Sequence, residues 1–548
     1  MAIRLADSTR EAYPYPLLIK QLLHTSIATA SEQEIVYRDR SRYSYGTFHG
    51  RLGRLANVLE SLGAGSGTVV AVMDWDSHRY LECYFAVPMM GAVLQTVNVR
   101  LPPRQVLLSL CDTRAEVILV HRDFVPLLAG IFAQLEGMKA VVLLEDEPSG
   151  EPLPHWVRGE YESLMAAASG GHAFEDFDER ALATVFHTTG TSGRPKPVCF
   201  SHRQIVLLAL SGAAALGGCA HGQALRHDDI YMPMTPMFHV HAWAVPYVAT
   251  LMGLKQVYPG RYIPEELIAL RLRERVTFSH CVPTILQMLL KAARRSEDLK
   301  GWKIIIGGAM LPPAMAGEAL RAGIDIFCGY GMSETGPSLT ISRLPEPSSR
   351  LSPRSEIEAR CCAGVPLPLV DLRIVDGEGR AVAAGSPEAG EIVVRAPWAT
   401  GGYLGDPQAS ARLWQGGYLH TQDIGTIDRQ GRLRITDRIK DVIKSGGEWV
   451  SSLELEALFA SHPDVLEAAV LGVPDVQWGE RPIALIVPRG AERADLVAEL
   501  QGLVEQHVAS GALSKYAVPN RILLVQSLQK TGVGKIDKRA LRERYGSR

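Results

Sequence analysis

One stretch constrains this chain more than any other. Residues 184–202 read Thr-Val-Phe-His-Thr-Thr-Gly-Thr-Ser-Gly-Arg-Pro-Lys-Pro-Val-Cys-Phe-Ser-His. The apolar run 183–186 predicts a buried strand, and it empties into a hydroxyl- and glycine-rich loop carrying one lysine, Lys196. Such a loop suits a polyphosphate: glycines let backbone N–H groups approach, hydroxyls donate, and the lysine adds a point charge. No G-x-x-x-x-G-K-[ST] can be read there, so it is not the P-loop of that name. Taken alone, the composition fits a plain surface loop equally well.

The segments upstream alternate. Phe48, Leu52, Leu55, Val58, Leu59 and Leu62 form a helical stripe within 44–62, stopped by Gly63. Residues 69–73 and 115–120 read as buried strands, with a helix over roughly 78–91 between them. Repeated β-α-β of this kind predicts an α/β fold, with helix-covered parallel sheets in a large N-terminal domain. The chain has 548 residues, more than one hydrophobic core accommodates. Beyond residue 440 the texture changes to a short helix (452–461), two strands (465–470 and 482–487) and a helix (494–508). That is a small α+β domain of ordinary size. The expected division is 1–439 and 440–548.

Charge excludes one class of partner. With 57 basic and 59 acidic residues, the chain has no nucleic-acid footprint. Its eight cysteines form no C-x-x-C, which predicts a reducing compartment without structural zinc. Acids at Asp7 and Glu11 argue against a signal peptide, and no apolar stretch reaches the roughly 20 residues of a membrane span. The expectation is a cytoplasmic protein without stable membrane insertion.

Six ordered motifs make the chain recognisable. They are Thr188-Thr-Gly-Thr-Ser-Gly-Arg-Pro-Lys196, Gly307-Gly-Ala, Gly329-Tyr-Gly-Met-Ser-Glu-Thr335, His420-Thr-Gln-Asp423, Thr436-Asp-Arg-Ile-Lys-Asp-Val-Ile-Lys-Ser-Gly-Gly-Glu448 and Lys530-Thr-Gly-Val-Gly-Lys535. Together they resemble the AMP-forming adenylating enzymes: acyl-CoA synthetases, adenylation domains and luciferases. The likeness extends over nearly the whole chain. It implies ATP, Mg²⁺ and CoA as cofactors, a small-molecule carboxylic acid as substrate, and a C-terminal lid that rotates about Lys440. It also implies a homodimer.

The resemblance assigns roles residue by residue. Thr188, Thr189, Gly190, Thr191, Ser192, Gly193 and Lys196 would cradle the phosphates; Gly308, Ala309, Gly329, Tyr330 and Gly331 would frame the nucleotide, with Tyr330 on adenine. Asp423 and Arg438 would hold the ribose. Glu334, beside Thr335, would bind Mg²⁺, because a hard cation prefers oxygen ligands. Lys535 would meet the substrate carboxylate and the α-phosphate, while Lys444, Gly446 and Gly447 would line the thiol channel. On the acyl side, Pro236-Met-Phe-His-Val-His-Ala-Trp243 looks like medium- and long-chain fatty acyl-CoA synthetases and their relatives acting on short thioether acids. His239 would lie near the reacting carboxylate, Gly331 beside the acid, and Trp243 at the gate of the acyl tunnel. Blander roles stay open here: a surface salt bridge for Asp423 and Arg438, a solvated Lys535, a core Trp243.

Three positions depart from the pattern where glycine is common: Pro197, Leu369 and Gln422. Proline removes a backbone donor and fixes φ, so phosphate binding weakens if the loop needs that N–H or a positive φ at Pro197; Gln422 adds bulk beside the ribose ligand. The departures therefore keep a second expectation alive, an enzyme that only thioesterifies an acyl-adenylate supplied by a separate adenylating enzyme. A bulky terpenoid-like acid, a carrier-protein acceptor and an oxygen-using luciferase are further alternatives.

Overall fold

The computed structural model describes residues 3–4, 6, 8–150, 152–188, 195–219, 222–344, 351–446, 448–490, 495–531 and 535–546. The helical stripe of the sequence forms the helix Tyr45–Ser61, whose Ser44 side chain accepts from the Thr47 N–H as an N-cap. Gly63, just beyond it, takes φ +87°, a conformation glycine adopts without strain. The strands expected near 69–73 and 115–120 are Val69–Met73 and Val117–His121, and the helix between them is His78–Met89.

Among the described residues the strands make four sheets. Two large sheets dominate, one of seven strands and one of nine. In the first, the strands from Val157–Glu160 through Leu182–His187 run parallel, and Pro197–Ser201 closes one edge antiparallel. In the second, the parallel centre passes from Glu34–Tyr37 to Asp325–Tyr330. Parallel strands need helical crossovers, which cover both faces. His78–Met89 is buried along its entire length, and one apolar core draws side chains from both sheets, Val72 and Leu94 from one and Phe278 and Phe327 from the other. A smaller antiparallel sheet follows over 371–438.

The C-terminal domain has its own sheet and cores. Val465–Asp475 and Gly479–Pro488 pair as a long hairpin, and Arg521–Leu524 adds a parallel strand. The helices Ser452–Ala460 and Leu496–Ala509 cover one face through Leu455, Phe459, Leu500 and Val504. The chain is thus α/β in its large N-terminal part, with a small C-terminal sheet domain. Among the described residues no helix is long and apolar enough to cross a membrane.

Candidate active site

The strand Leu182–His187 delivers Thr188 to the end of the seven-stranded sheet. Thr188 and Lys196 close the base of the loop: the Thr188 N–H donates to the Lys196 carbonyl at 2.9 Å, and the Lys196 N–H donates to Thr188 Oγ1 at 3.2 Å. Thr189, Gly190, Thr191, Ser192 and Gly193 lie outside the described residues, as does Gly447. Pro197 opens the antiparallel edge strand, a position where a missing N–H is tolerated. Its carbonyl accepts from the Leu404 N–H at 2.9 Å.

Opposite this loop, the end of the strand Asp325–Tyr330 and the following turn present Tyr330, Gly331 and Glu334. A β-carbon on Gly331 would collide with the Pro337 carbonyl oxygen, so glycine alone fits. The Tyr330 hydroxyl donates to Asp423 Oδ2 at 2.8 Å, and Arg438 Nε donates to Asp423 Oδ1 at 3.1 Å. Asp423 and Arg438 face each other across the hairpin strands Tyr418–Ile427 and Leu433–Arg438. Burial, with the Asp423 charge, pushes the Tyr330 phenol well above its ordinary range. Glu334 is buried, and its Oε1 accepts from the Tyr403 hydroxyl at 2.6 Å.

Leu369 and Gln422 stand at φ 72° and 60°. The backbone at both positions therefore keeps the left-handed conformation that favours glycine, against the steric cost of a side chain. Gln422 is tied on both sides: its N–H donates to Glu391 Oε1 at 3.0 Å, and its carbonyl accepts from the Ile439 N–H at 2.9 Å.

The acyl-side motif forms an unusual wall. Val240 to Ala244, five residues without a glycine, all have positive φ, a single left-handed turn. His241, within it, is buried and bonds Thr184 Oγ1 through Nε2 at 2.7 Å. Trp243 packs on His280 with ring centres 5.0 Å apart. A β-carbon on Gly307 would lie 3.0 Å from Trp243 Cη2, so the indole fits only because residue 307 lacks a side chain. Burial, then the Lys535 and Arg100 charges, lowers His239 to about 3; its imidazole is neutral at ordinary pH.

Lys535 comes from the other domain. Its loop closes as the Lys196 loop does, with the Thr531 N–H donating to the Lys535 carbonyl at 2.7 Å and the Lys535 N–H donating to Thr531 Oγ1 at 3.3 Å. The side chain lies against Gly308: a β-carbon there would meet Cε at 3.4 Å. Burial, reinforced by Arg438, lowers Lys535 to about 8.

These groups share one cavity of about 460 Å³. Thr188, Lys196, Glu334, Asp423, Arg438 and Lys535 line its polar part, together with Gly308, Gly329, Tyr330, Gly331 and Lys440; Trp243 and His239 stand where it turns apolar. Leu208, Gly212, Ala215 and Leu216 continue it along the helix His202–Gly217, at the spacing of one helical face. Thr335 and Ala309 do not line it; the Thr335 hydroxyl bonds the backbone of Met332 within its own turn. Lys444 and Gly446 do not line it; Lys444 lies in the strand Ile443–Ser445 of the C-terminal sheet, and Gly446, just after it, packs against Tyr516. Sequence reasoning missed Tyr403 and the small-residue face of 208–216. The 208–216 periodicity was visible, but Gly401-Gly-Tyr403 carries no local signal.

The model of the AMP-binding enzyme family matches residues 23–404, and that of the AMP-binding enzyme C-terminal domain matches 454–535. The chain belongs to the AMP-binding enzyme family. Among its relatives, this family member is 36% identical over 550 residues to the long-chain-fatty-acid–CoA ligase of Thermus thermophilus, covering 97% of each chain. It is also 36% identical over 498 residues to the 3-methylmercaptopropionyl-CoA ligase of Ruegeria pomeroyi, covering 90% of each. The ATP-bound structure of MatB from Rhodopseudomonas palustris superposes with a TM-score of 0.81 at 25% identity, over 96% of this enzyme and 98% of that chain.

Proposed function

We propose that this enzyme joins an apolar, fatty-acid-like carboxylic acid to CoA through an acyl-adenylate made from ATP. The observation that carries the reading is the cavity itself: carboxylates of the large domain and lysines from both domains line it together, and apolar side chains on the helix His202–Gly217 line the rest. The relatives' activities support the same reaction class.

Two anions must meet in the first step, when a carboxylate oxygen attacks the α-phosphorus and the bond to pyrophosphate breaks. Lys535 supplies a cation there, and a water-poor site strengthens it. Neutral His239 orients the carboxylate without adding charge. Tyr330, Asp423 and Arg438 hold the adenosine, and Lys196 with Thr188 meets the departing phosphates. Glu334 fits a hard cation: it is buried, it lines the cavity, and among the described residues no donor is bonded to its Oε2. Mg²⁺ bound there would neutralise phosphate charge.

In the second step the CoA sulfur attacks the acyl carbon, the C–O bond to AMP breaks, and the thiol proton is lost. Lys444, Gly446 and Gly447 serve the thiol only if the C-terminal domain turns, with Lys440 as the hinge and 440 as the boundary. The positive φ kept at Leu369 and Gln422, and the strand-end place of Pro197, support a complete reaction over thioesterification alone. We place the enzyme in the cytoplasm as a homodimer. The decisive experiment runs acid-dependent ATP–pyrophosphate exchange beside CoA thioester formation over a panel of fatty, thioether and bulky acids. Activity in both assays is expected; thioester formation from supplied adenylates without exchange on any acid would overturn the complete reaction.

A further inference from the structure

Tyr403 belongs to none of the six motifs, yet it touches both sides of the nucleotide end. Its hydroxyl donates to Glu334 Oε1 at 2.6 Å. Its ring lies under Lys196, with Nζ 4.7 Å from the ring centre. Neither contact depends on the other, because hydroxyl and ring face are used separately.

The backbone holds this tyrosine firmly. Tyr403 forms an isolated bridge with Val198 of the strand that follows Lys196, and its N–H donates to Ser410 Oγ at 2.9 Å. The Thr400 N–H donates to the Glu334 carbonyl at 2.9 Å, so the same segment fixes both main chain and side chain of the acid.

We propose that Tyr403 is a positioning residue for adenylation: its hydroxyl aims Glu334, and its ring keeps Lys196 extended at the cavity rim. The inference rests on the ATP-dependent reading above. A carboxylate with one oxygen occupied presents the other in a defined direction, which is how outer partners tune a metal-binding acid. A lysine resting on an aromatic face gives up rotamer freedom before phosphate arrives.

The test uses the full chain and needs no turnover for its main readout. ATP binding is titrated by calorimetry at increasing Mg²⁺, for the wild type, Tyr403→Phe and Tyr403→Leu. Phenylalanine fills nearly the same space, so fold and thermal midpoint should hold. Tyr403→Phe should raise the half-saturating Mg²⁺ about tenfold while ATP affinity at saturating Mg²⁺ and the KM for the acid stay unchanged. Tyr403→Leu should add a loss of ATP affinity at saturating Mg²⁺ of about threefold, the scale of an exposed cation–π contact. An unchanged Mg²⁺ requirement in Tyr403→Phe would overturn the proposal and leave the enzyme's reaction intact. A wild type that fails to bind ATP at any Mg²⁺ concentration would overturn the reaction first, and the role of Tyr403 with it.

Discussion

Lys535 of the C-terminal domain rests on Gly308 of the large domain, so closely that a β-carbon on Gly308 would meet Lys535 Cε at 3.4 Å and Nζ at 4.0 Å. The contact joins two separately folded cores and places a cation among Glu334, Asp423 and Arg438. This orientation of the domains suits the joining of carboxylate and phosphate, and in it Lys444 and Gly446 do not line the cavity.

Replacing Lys535 with alanine should therefore separate the two half-reactions. Pyrophosphate exchange is expected to fall roughly 10²–10³-fold, the range for removing one preorganised electrostatic group. Thioester formation from a supplied acyl-adenylate should persist near the wild-type rate. Equal losses in both assays would show that Lys535 serves the fold rather than the first step.

The pH profile follows from the same side chain. Burial lowers Lys535 to about 8, below an ordinary lysine near 10.4, and in the proposed reaction its cationic form is the one that meets the anions. The kcat/KM for adenylation should fall as pH rises through about 8, where the free enzyme loses that charge. Stability moves the other way. Between about 8 and 10.4 the unfolded chain holds the proton that the folded site has released, so folding is favoured as pH rises across that window. Stopped-time exchange assays from pH 6 to 10, beside urea unfolding in the same buffers, would reveal the opposed trends; a flat rate across pH 8 would remove Lys535 from the profile.

Leu369 and Gln422 hold a backbone shape better suited to glycine. Leu369→Gly and Gln422→Gly should each stabilise the large domain by about 1 kcal/mol, the cost of a side chain in the left-handed region. Urea midpoints should shift upward, with the alanine variants close to wild type. A lower midpoint for Gln422→Gly would mean that its side chain contributes more than its φ costs.

Trp243 and Gly307 form one wall and should behave as one. Trp243→Ala opens space beside the channel and is expected to shift acyl preference toward longer or bulkier acids with little change in the KM for ATP. Gly307→Ala puts a methyl 3.0 Å from the indole and 3.1 Å from the Gly329 carbonyl oxygen, so it should narrow the acid range. Competition between acids of different length, read as ratios of kcat/KM, measures both. Unchanged ratios in Trp243→Ala would return that residue to the core.

Much of this was legible in the linear chain. The strand Leu182–His187, the helix Tyr45–Ser61 and the strands near 465–470 and 482–487 all follow from apolar periodicity and turn residues, which act within a few residues; their pairing as a long hairpin is a finding of the structure. The ordered motifs likewise pointed to Lys196, Glu334, Asp423, Arg438 and Lys535, which the structure brings to one cavity. Even the departures were informative, since Leu369 and Gln422 stand where the pattern has glycine, and the structure shows the backbone there at positive φ.

What only the tertiary structure decided is who faces whom. Tyr403 meets Glu334 and Lys196 because a loop about 70 residues beyond the acid folds back onto the strand after the lysine. Five residues after His239 adopt a left-handed turn that no local preference favours, held by packing and by the His241–Thr184 bond. Lys535 enters the cavity only when two domains dock. Local pattern specifies elements because its interactions are short in sequence; the site joins residues hundreds of positions apart, and only the packing of complete sheets brings them together.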